Sequence, residues 1–193
     1  MFESTLDLLA GSSWAYALLL GFAAADVLFP VVPSEAALIA AGVAAGLGEL
    51  EVTWVIAAGM TGAILGDNTS YLVGRRVGRP VVDRLFRGCH ARERLARIER
   101  LLGTRGPEII VAARFVPGGR TAATLSAGVT HLAWPTRFLP YTVAAGLFWA
   151  SYATLLGYLG GRLFVDRPLL GLLVALVFAA VLVFAVEAVR RLR

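Results

Sequence analysis

Lysine is absent from this 193-residue chain: all 18 basic residues are arginine. Genome base composition can produce that bias. Arginine also suits phosphate better than lysine, because its planar fork matches two oxygens at once. Cysteine is nearly absent as well. Cys89 stands alone, so no internal disulfide can form. With only His90 and His131 as imidazoles and no Cys/His cluster, no zinc site and no other cofactor is expected. Charge is scarce: 16% of residues are charged, against roughly 25% in soluble domains. The net charge of +5 is concentrated in one loop and at the C-terminus, which argues against a nucleic-acid surface. The first charges are Glu3 and Asp7, so the basic n-region of a secretory signal is missing and the first apolar block is expected to stay in the membrane. No Ser/Gly-rich linker divides the chain, which predicts a single domain over 1–193.

What is present is apolar. Hydrophobic residues make up 58% of the chain, and mean hydropathy is +0.75. A spanning helix needs about 20 mostly apolar residues. The runs 13–28, 52–74, 138–161 and 168–189 each approach or exceed that length, which predicts four transmembrane helices. Gly62 and Gly66 in the second form a GxxxG pair suited to close helix packing. Two further apolar stretches are broken. Pro30 and Pro33 interrupt 29–48, and Pro117 with Gly118 and Gly119 interrupts 107–128. Short, broken, apolar segments are expected as re-entrant hairpins held inside protein.

Parity supports this scheme. The loop 75–105 carries ten arginines, and Arg190, Arg191 and Arg193 close the chain. Both belong in the cytoplasm by the positive-inside rule. They share a side only if 107–128 dips in and returns. The same rule puts Glu49 and Glu51 outside, so the two hairpins enter from opposite faces, and both termini are expected to be cytoplasmic. Each broken segment has Phe and Pro, then a charged residue, then a small-residue run ending in Ala41-Gly42 or Ala127-Gly128, as in an inverted repeat. Leu95, Ile98 and Leu102 among charges predict an amphipathic helix on the cytoplasmic face. The expected fold is an all-α integral membrane protein: about four spans, two oppositely oriented re-entrant hairpins and this surface helix.

Ionisable groups at membrane depth are costly, by about 2.5 kcal/mol or more at a helix centre. Five lie in or beside the apolar segments: Asp26, Glu35, Asp67, Arg114 and Arg120. Arg114 and Arg120 are the candidates for gripping phosphate bidentately, with Gly118 and Gly119 freeing backbone N–H groups for the same anion. In the competing structural reading both arginines snorkel or simply pair with Glu35 and Asp26. Those acids are the candidates for proton coupling, because burial and a neighbouring arginine push a carboxyl in opposite directions. The alternative is a static counter-ion. Asp67, with Asn68 and Tyr71, either lines the same cavity or pairs with Arg75 at a helix end. Gly146, Gly157, Gly160 and Gly161 read as packing positions, and Trp149, Tyr152 and Tyr158 as packing or interfacial residues.

These residues resemble the DedA family (SNARE-associated or VTT domain). Asp26 followed by Phe29-Pro30-Val31-Val32-Pro33-Ser34-Glu35 is similar to its acid-x-x-FPxxPSE segment. Gly66-Asp67 with Tyr71 and Gly74-Arg75 resembles GDxxxYxxGR. Arg114-Phe115-Val116-Pro117-Gly118-Gly119-Arg120 resembles RFxPxxR, and Gly146, Trp149 and Gly157-Tyr158-Leu159-Gly160 resemble its C-terminal pattern. The match covers 13–161 in consistent order. The resemblance implies two re-entrant hairpins, required acids at Asp26 and Glu35, and required arginines at Arg114 and Arg120. It further implies a bacterial inner-membrane lipid transporter, with undecaprenyl phosphate recycling as the favoured role; related eukaryotic proteins are scramblases. The first acid is often Glu in the family and is the shorter Asp26 here.

The expected partners are anionic, phosphate-bearing membrane lipids and protons, with no nucleic acid; a homo-oligomer is compatible with the pattern. The alternative function is a proton-coupled carrier of small ions or cationic drugs. An enzyme acting on lipid phosphate is disfavoured by the scarcity of histidine. A scaffold leaves the intramembrane charges unexplained. In a Cys89→Ser background, cysteines at Arg105 and Thr130 should both label from the cytoplasmic side. Labelling from opposite sides would defeat re-entrance of 107–128.

Overall fold

The computed structural model describes residues 2–27, 34–78, 89–105, 108–114, 118–167, 169–178 and 181. The side chains before Ser13 and those of residues 89–92, 94, 95 and 105 are not described. Pro30, Pro33 and Pro117, Phe115, the arginines at 79, 84 and 87, and the C-terminal arginines lie outside the described residues.

No strand occurs among the described residues; the fold is all-helical, as expected. In chain order the helices are α1 (Phe2–Ala25), α2 (Ser34–Gly46), α3 (Val52–Val77), α4 (Cys89–Arg105), α5 (Glu108–Ala113), α6 (Gly119–Val129) and α7 (Leu139–Leu163). A π-helical turn, Trp134–Phe138, leads into α7, and a further helix, α8 (Leu169–Phe178), follows it. Among the described residues, the continuous helix Trp134–Leu163 is the one long and apolar enough to cross a membrane; half of the fourth expected span lies outside them. α3 has the length but carries Asp67, Arg75 and Arg76. α1 has a shorter apolar part, Ser13–Ala25, and α8 has ten described residues. The broken stretches do form short helices: α2 in the first, α5 and α6 in the second.

Composition is sorted inside out. Large apolar side chains stand outward in stripes: Trp14, Leu18 and Phe22 on α1; Phe148, Leu155 and Leu159 on α7; Leu169 and Leu173 on α8. Small and polar residues fill the interior, including Asp67, Ser70, Thr124, Ser126, Thr142 and Thr154. Water disfavours such a surface and lipid does not, so close backbone approach adds to a first hydrophobic cluster, built around Leu38, Ile39, Val55 and Trp149, in joining the helices.

The closest approaches are made by glycines. α2 packs mainly on α7 and α6 mainly on α3. A Cβ added at Gly42 would strike the Thr154 carbonyl, one at Gly157 the Ile39 carbonyl, and one at Gly161 the Val43 carbonyl. In the other pair, a Cβ at Gly74 would strike the Leu125 carbonyl and one at Gly128 the Tyr71 carbonyl. Ile39 and Val43 meet Gly157 and Gly161 in order, and Asp67 and Ser70 meet Arg120 and Thr124 in order, so both pairs run parallel. Each short helix therefore packs on the long helix of the other half, and exchanging the halves maps one pair onto the other. Gly62 and Gly66 meet the Leu20 and Ala24 carbonyls of α1, as the GxxxG spacing predicts.

The amphipathic reading of α4 holds in pattern, but the described part of its apolar face, Ile98 and Leu102, packs on protein; the Leu95 side chain lies outside the described residues. Leu102 and Ile98 join Tyr71, Ile110, Ala127 and Phe138 in a second hydrophobic cluster. The π-helical turn places Phe138 on Tyr71, ring centroids 4.5 Å apart, and the Tyr71 hydroxyl donates to the Leu132 carbonyl at 2.7 Å.

Alanine normally improves a helix over glycine by about 1 kcal/mol. Gly157→Ala should nevertheless destabilise, by about 1–3 kcal/mol of overpacking, because its methyl meets backbone. Gly21→Ala, with nothing within 4 Å, should be neutral or mildly stabilising. Thermal unfolding in detergent compares the two.

Candidate functional site: a buried charge network

One stripe of α3 builds the site. Ala63, Asp67, Ser70 and Gly74 follow one another at steps of four, three and four residues, so they share a helix face. All four meet the same partner helix. The Ala63 carbonyl accepts from Arg120 Nη2 at 3.1 Å, and Asp67 Oδ1 accepts from Arg120 Nε at 2.6 Å. The Ser70 and Thr124 hydroxyls bond at 2.8 Å, and Gly74 lets Leu125 approach. Gly118, in the left-handed conformation at φ 70°, turns the chain into α6 and sets Arg120 in its first turn. Thr121 Oγ1 ties that turn to the Val27 carbonyl at 2.8 Å.

Asp67 is shared by both arginines. Its Oδ2 accepts from Arg114 Nη1 at 3.0 Å, while Arg120 Nη1 reaches on to Asp26 Oδ2 at 2.9 Å. Two carboxylates and two guanidiniums thus form one chain: Asp26, Arg120, Asp67, Arg114. The Arg114 and Asp67 side chains are 3% and 1% exposed, whereas Asp26 is 25% exposed. The Arg114 guanidinium also lies over the Trp149 ring, 5.2 Å from its centroid, within cation–π range. Its Nε and Nη2 are buried and have no hydrogen-bond partner among the described residues.

Of the residues expected at the site, Asp26, Asp67, Arg114 and Arg120 come together. Arg120 pairs with Asp26, as the structural reading held, but neither arginine bonds Glu35 in the described contacts. Glu35 Oε1 instead accepts from the Tyr152 hydroxyl at 2.5 Å. Asp67 pairs with Arg114 and Arg120, not with Arg75, which is exposed. Asn68 faces away from the network and accepts from Trp134 Nε1 at 2.6 Å. Gly119 is buried at the start of α6, and Gly118 is exposed beside it.

The sequence assigns Trp149 and Tyr152 only a packing or interfacial role. Both touch the charged side chains, three residues apart on one face of α7. That spacing was visible, but nothing in it named the partners, since Arg114 and Glu35 are remote in sequence. Among the described residues, no group of three or more His, Cys, Asp or Glu could hold a metal ion.

An outward apolar surface, an interior of glycines and hydroxyls, and a buried ion-pair chain define a helical integral membrane protein. A family model described as the VTT domain matches residues 32–159. An uncharacterized membrane protein of Mycobacterium tuberculosis is 33% identical over 180 residues, 90% of this chain and 77% of that protein. The protein named DedA of Escherichia coli strain K12 is 29% identical over 186 residues, 93% of this chain and 84% of its own. No solved structure matches. The chain belongs to the VTT-domain family of membrane proteins that includes DedA.

Asp67→Ala strands the buried Arg114 guanidinium and leaves Arg120 with only Asp26 and the Ala63 carbonyl, and should cost about 3–5 kcal/mol, as breaking a buried pair does. Asp26→Ala leaves Arg120 with Asp67 and Ala63, and should cost clearly less. Unfolding midpoints of the two variants in detergent check the order; equal losses would contradict the central place of Asp67.

Proposed function

We propose that the protein transports a phosphate-bearing anionic lipid between leaflets of the bacterial inner membrane, acting as a flippase or scramblase. Undecaprenyl phosphate is the leading substrate. The carrying observation is the buried chain of two arginines and two aspartates, in which Arg114 keeps two N–H donors uncommitted. A cluster bound only for stability would use those donors, because buried donors without partners cost free energy. Guanidinium is suited to phosphate oxygens and stays charged throughout. In this reading α2 and α5–α6 are the two half-depth hairpins, entering from opposite faces, and the charges lie where they meet. Paired interrupted segments of this kind build midplane transport sites. The protein carries no catalytic residues in this reading, and both termini are cytoplasmic.

Proton-coupled export of small or drug-like cations is the second reading. It is favoured by Glu35, whose described partner is a tyrosine hydroxyl rather than an arginine. A Glu35→Gln protein that keeps lipid movement but loses cation export would favour it.

In proteoliposomes, Arg114→Ala should reduce translocation of a labelled anionic lipid about tenfold or more, the loss expected when a charge-assisted contact is removed. Gel filtration and circular dichroism establish that the variant is folded. Unimpaired movement by a folded Arg114→Ala protein rejects the transport site.

A further inference from the structure

The two arginines are not equivalent. Arg120 commits Nε to Asp67, Nη1 to Asp26 and Nη2 to the Ala63 carbonyl. It has no free edge. Arg114 commits Nη1 alone. Its Nε and Nη2 lie on the same side of the guanidinium, so their N–H bonds run parallel and present the two-donor edge that carboxylate and phosphate oxygens fit. We propose that this edge of Arg114 is the seat of one anion of the phosphate-ester class, with Trp149 and Asp67 as positioning residues and Arg120 outside the contact. The proposal rests on the anionic-lipid reading for its physiological ligand.

Asp67 and Trp149 fix the edge from two sides. Asp67 holds Nη1 at 3.0 Å, and the indole lies against the guanidinium at 5.2 Å. Together they fix both the roll and the direction of the fork. Charge favours an anion there. Asp67 is one carboxylate serving two guanidiniums, and the compensating Asp26 sits at the far, more exposed end of the chain.

The ligand class follows from the surroundings. Trp149 is buried, while its neighbour Phe148 is 59% exposed on the outer apolar surface. The Phe148 ring lies 6.1 Å from that of Tyr152. A headgroup at Arg114 is therefore close to the lipid face of α7, where an alkyl chain can remain. Arg114 is 3% exposed, so a ligand reaches it only when helices part. The α3–α7 contact at Gly146 is the least interlocked of the described glycine contacts between long helices. The nearest atom to a Cβ added there is the Met60 carbonyl oxygen at 3.6 Å, and Gly146 lies less than one turn before Trp149.

The test uses the full chain in phosphatidylcholine nanodiscs with Trp14→Phe, Trp54→Phe and Trp134→Phe, leaving Trp149 as the reporter. Octyl phosphate should change its emission saturably. Arg114→Lys keeps the charge and the Asp67 pair but loses the two-donor edge, and should weaken binding about tenfold or more. Arg120→Lys should weaken it by less. Inorganic phosphate competing for the signal supports recognition of the headgroup oxygens; octyltrimethylammonium giving the same saturable signal overturns it. No saturable response, or equal affinity in Arg114→Lys, also overturns the seat. Should Arg114→Lys not fold, the rise in unfolding temperature caused by octyl phosphate is compared between the wild-type chain and Trp149→Leu. Loss of the rise supports the seat, and an unchanged rise overturns it. Lipid transport without octyl phosphate binding removes the seat and leaves the transport reading. Binding at Arg114 without transport of any anionic lipid does the reverse.

Discussion

Asp67 is almost wholly removed from solvent, and each of its oxygens holds a different arginine. A lone carboxylate in that position would lose its hydration with little in return, and each guanidinium would face the same problem. Grouping them makes burial tolerable and ties three segments together: α3, the turn after α5, and the start of α6. Asp26 extends the chain to the end of α1. The most polar part of the interior thus fixes the relative placement of elements drawn from both halves of the sequence.

Glycine does the same by close approach. Apolar side chains supply little drive for association where the alternative solvent is hydrocarbon. Dispersion between backbones takes over, and it falls off steeply with separation. Hence the glycines at 42, 74, 128, 157 and 161, each against a carbonyl of a neighbouring helix. The charge chain and the glycine contacts act together along the α3–α6 pair. The α2–α7 pair combines glycine contacts with the Glu35–Tyr152 hydrogen bond.

Much of this was legible in the residues. Three of the apolar runs coincide with α1, α3 and α7, of which the last, with the turn before it, is long and apolar enough to span; GxxxG spacing anticipated the α1–α3 contact, and the broken stretches do hold short helices. The cost of charge in an apolar run singled out Arg114, Arg120 and Asp26, which do meet in one network, and also Glu35, which bonds Tyr152 instead. Asp67 was ambiguous because local spacing offered Arg75 as a partner, whereas its real partners are 47 and 53 residues away. Trp149 and Tyr152 were missed for a related reason: an aromatic residue in an apolar helix has an ordinary packing role, and only tertiary placement over Arg114 and beside Glu35 gives it another. The amphipathic pattern of α4 was correct, but pattern alone does not say whether lipid or protein covers the apolar face, and here Tyr71, Ile110 and Phe138 do.

The crossed pairing of short and long helices bears on how the chain is made. α2 emerges early in synthesis, yet the glycine surface that receives it belongs to α7, roughly a hundred residues later. At about 5–20 residues per second, that interval is on the order of 5–20 s. During that time the Gly42–Gly46 face and the Glu35 carboxylate wait without their final neighbours. A ribosome stalled before residue 139 would hold a chain whose short helix has α1 and α3 beside it but lacks its main partner, and such an intermediate is a natural client for membrane quality control.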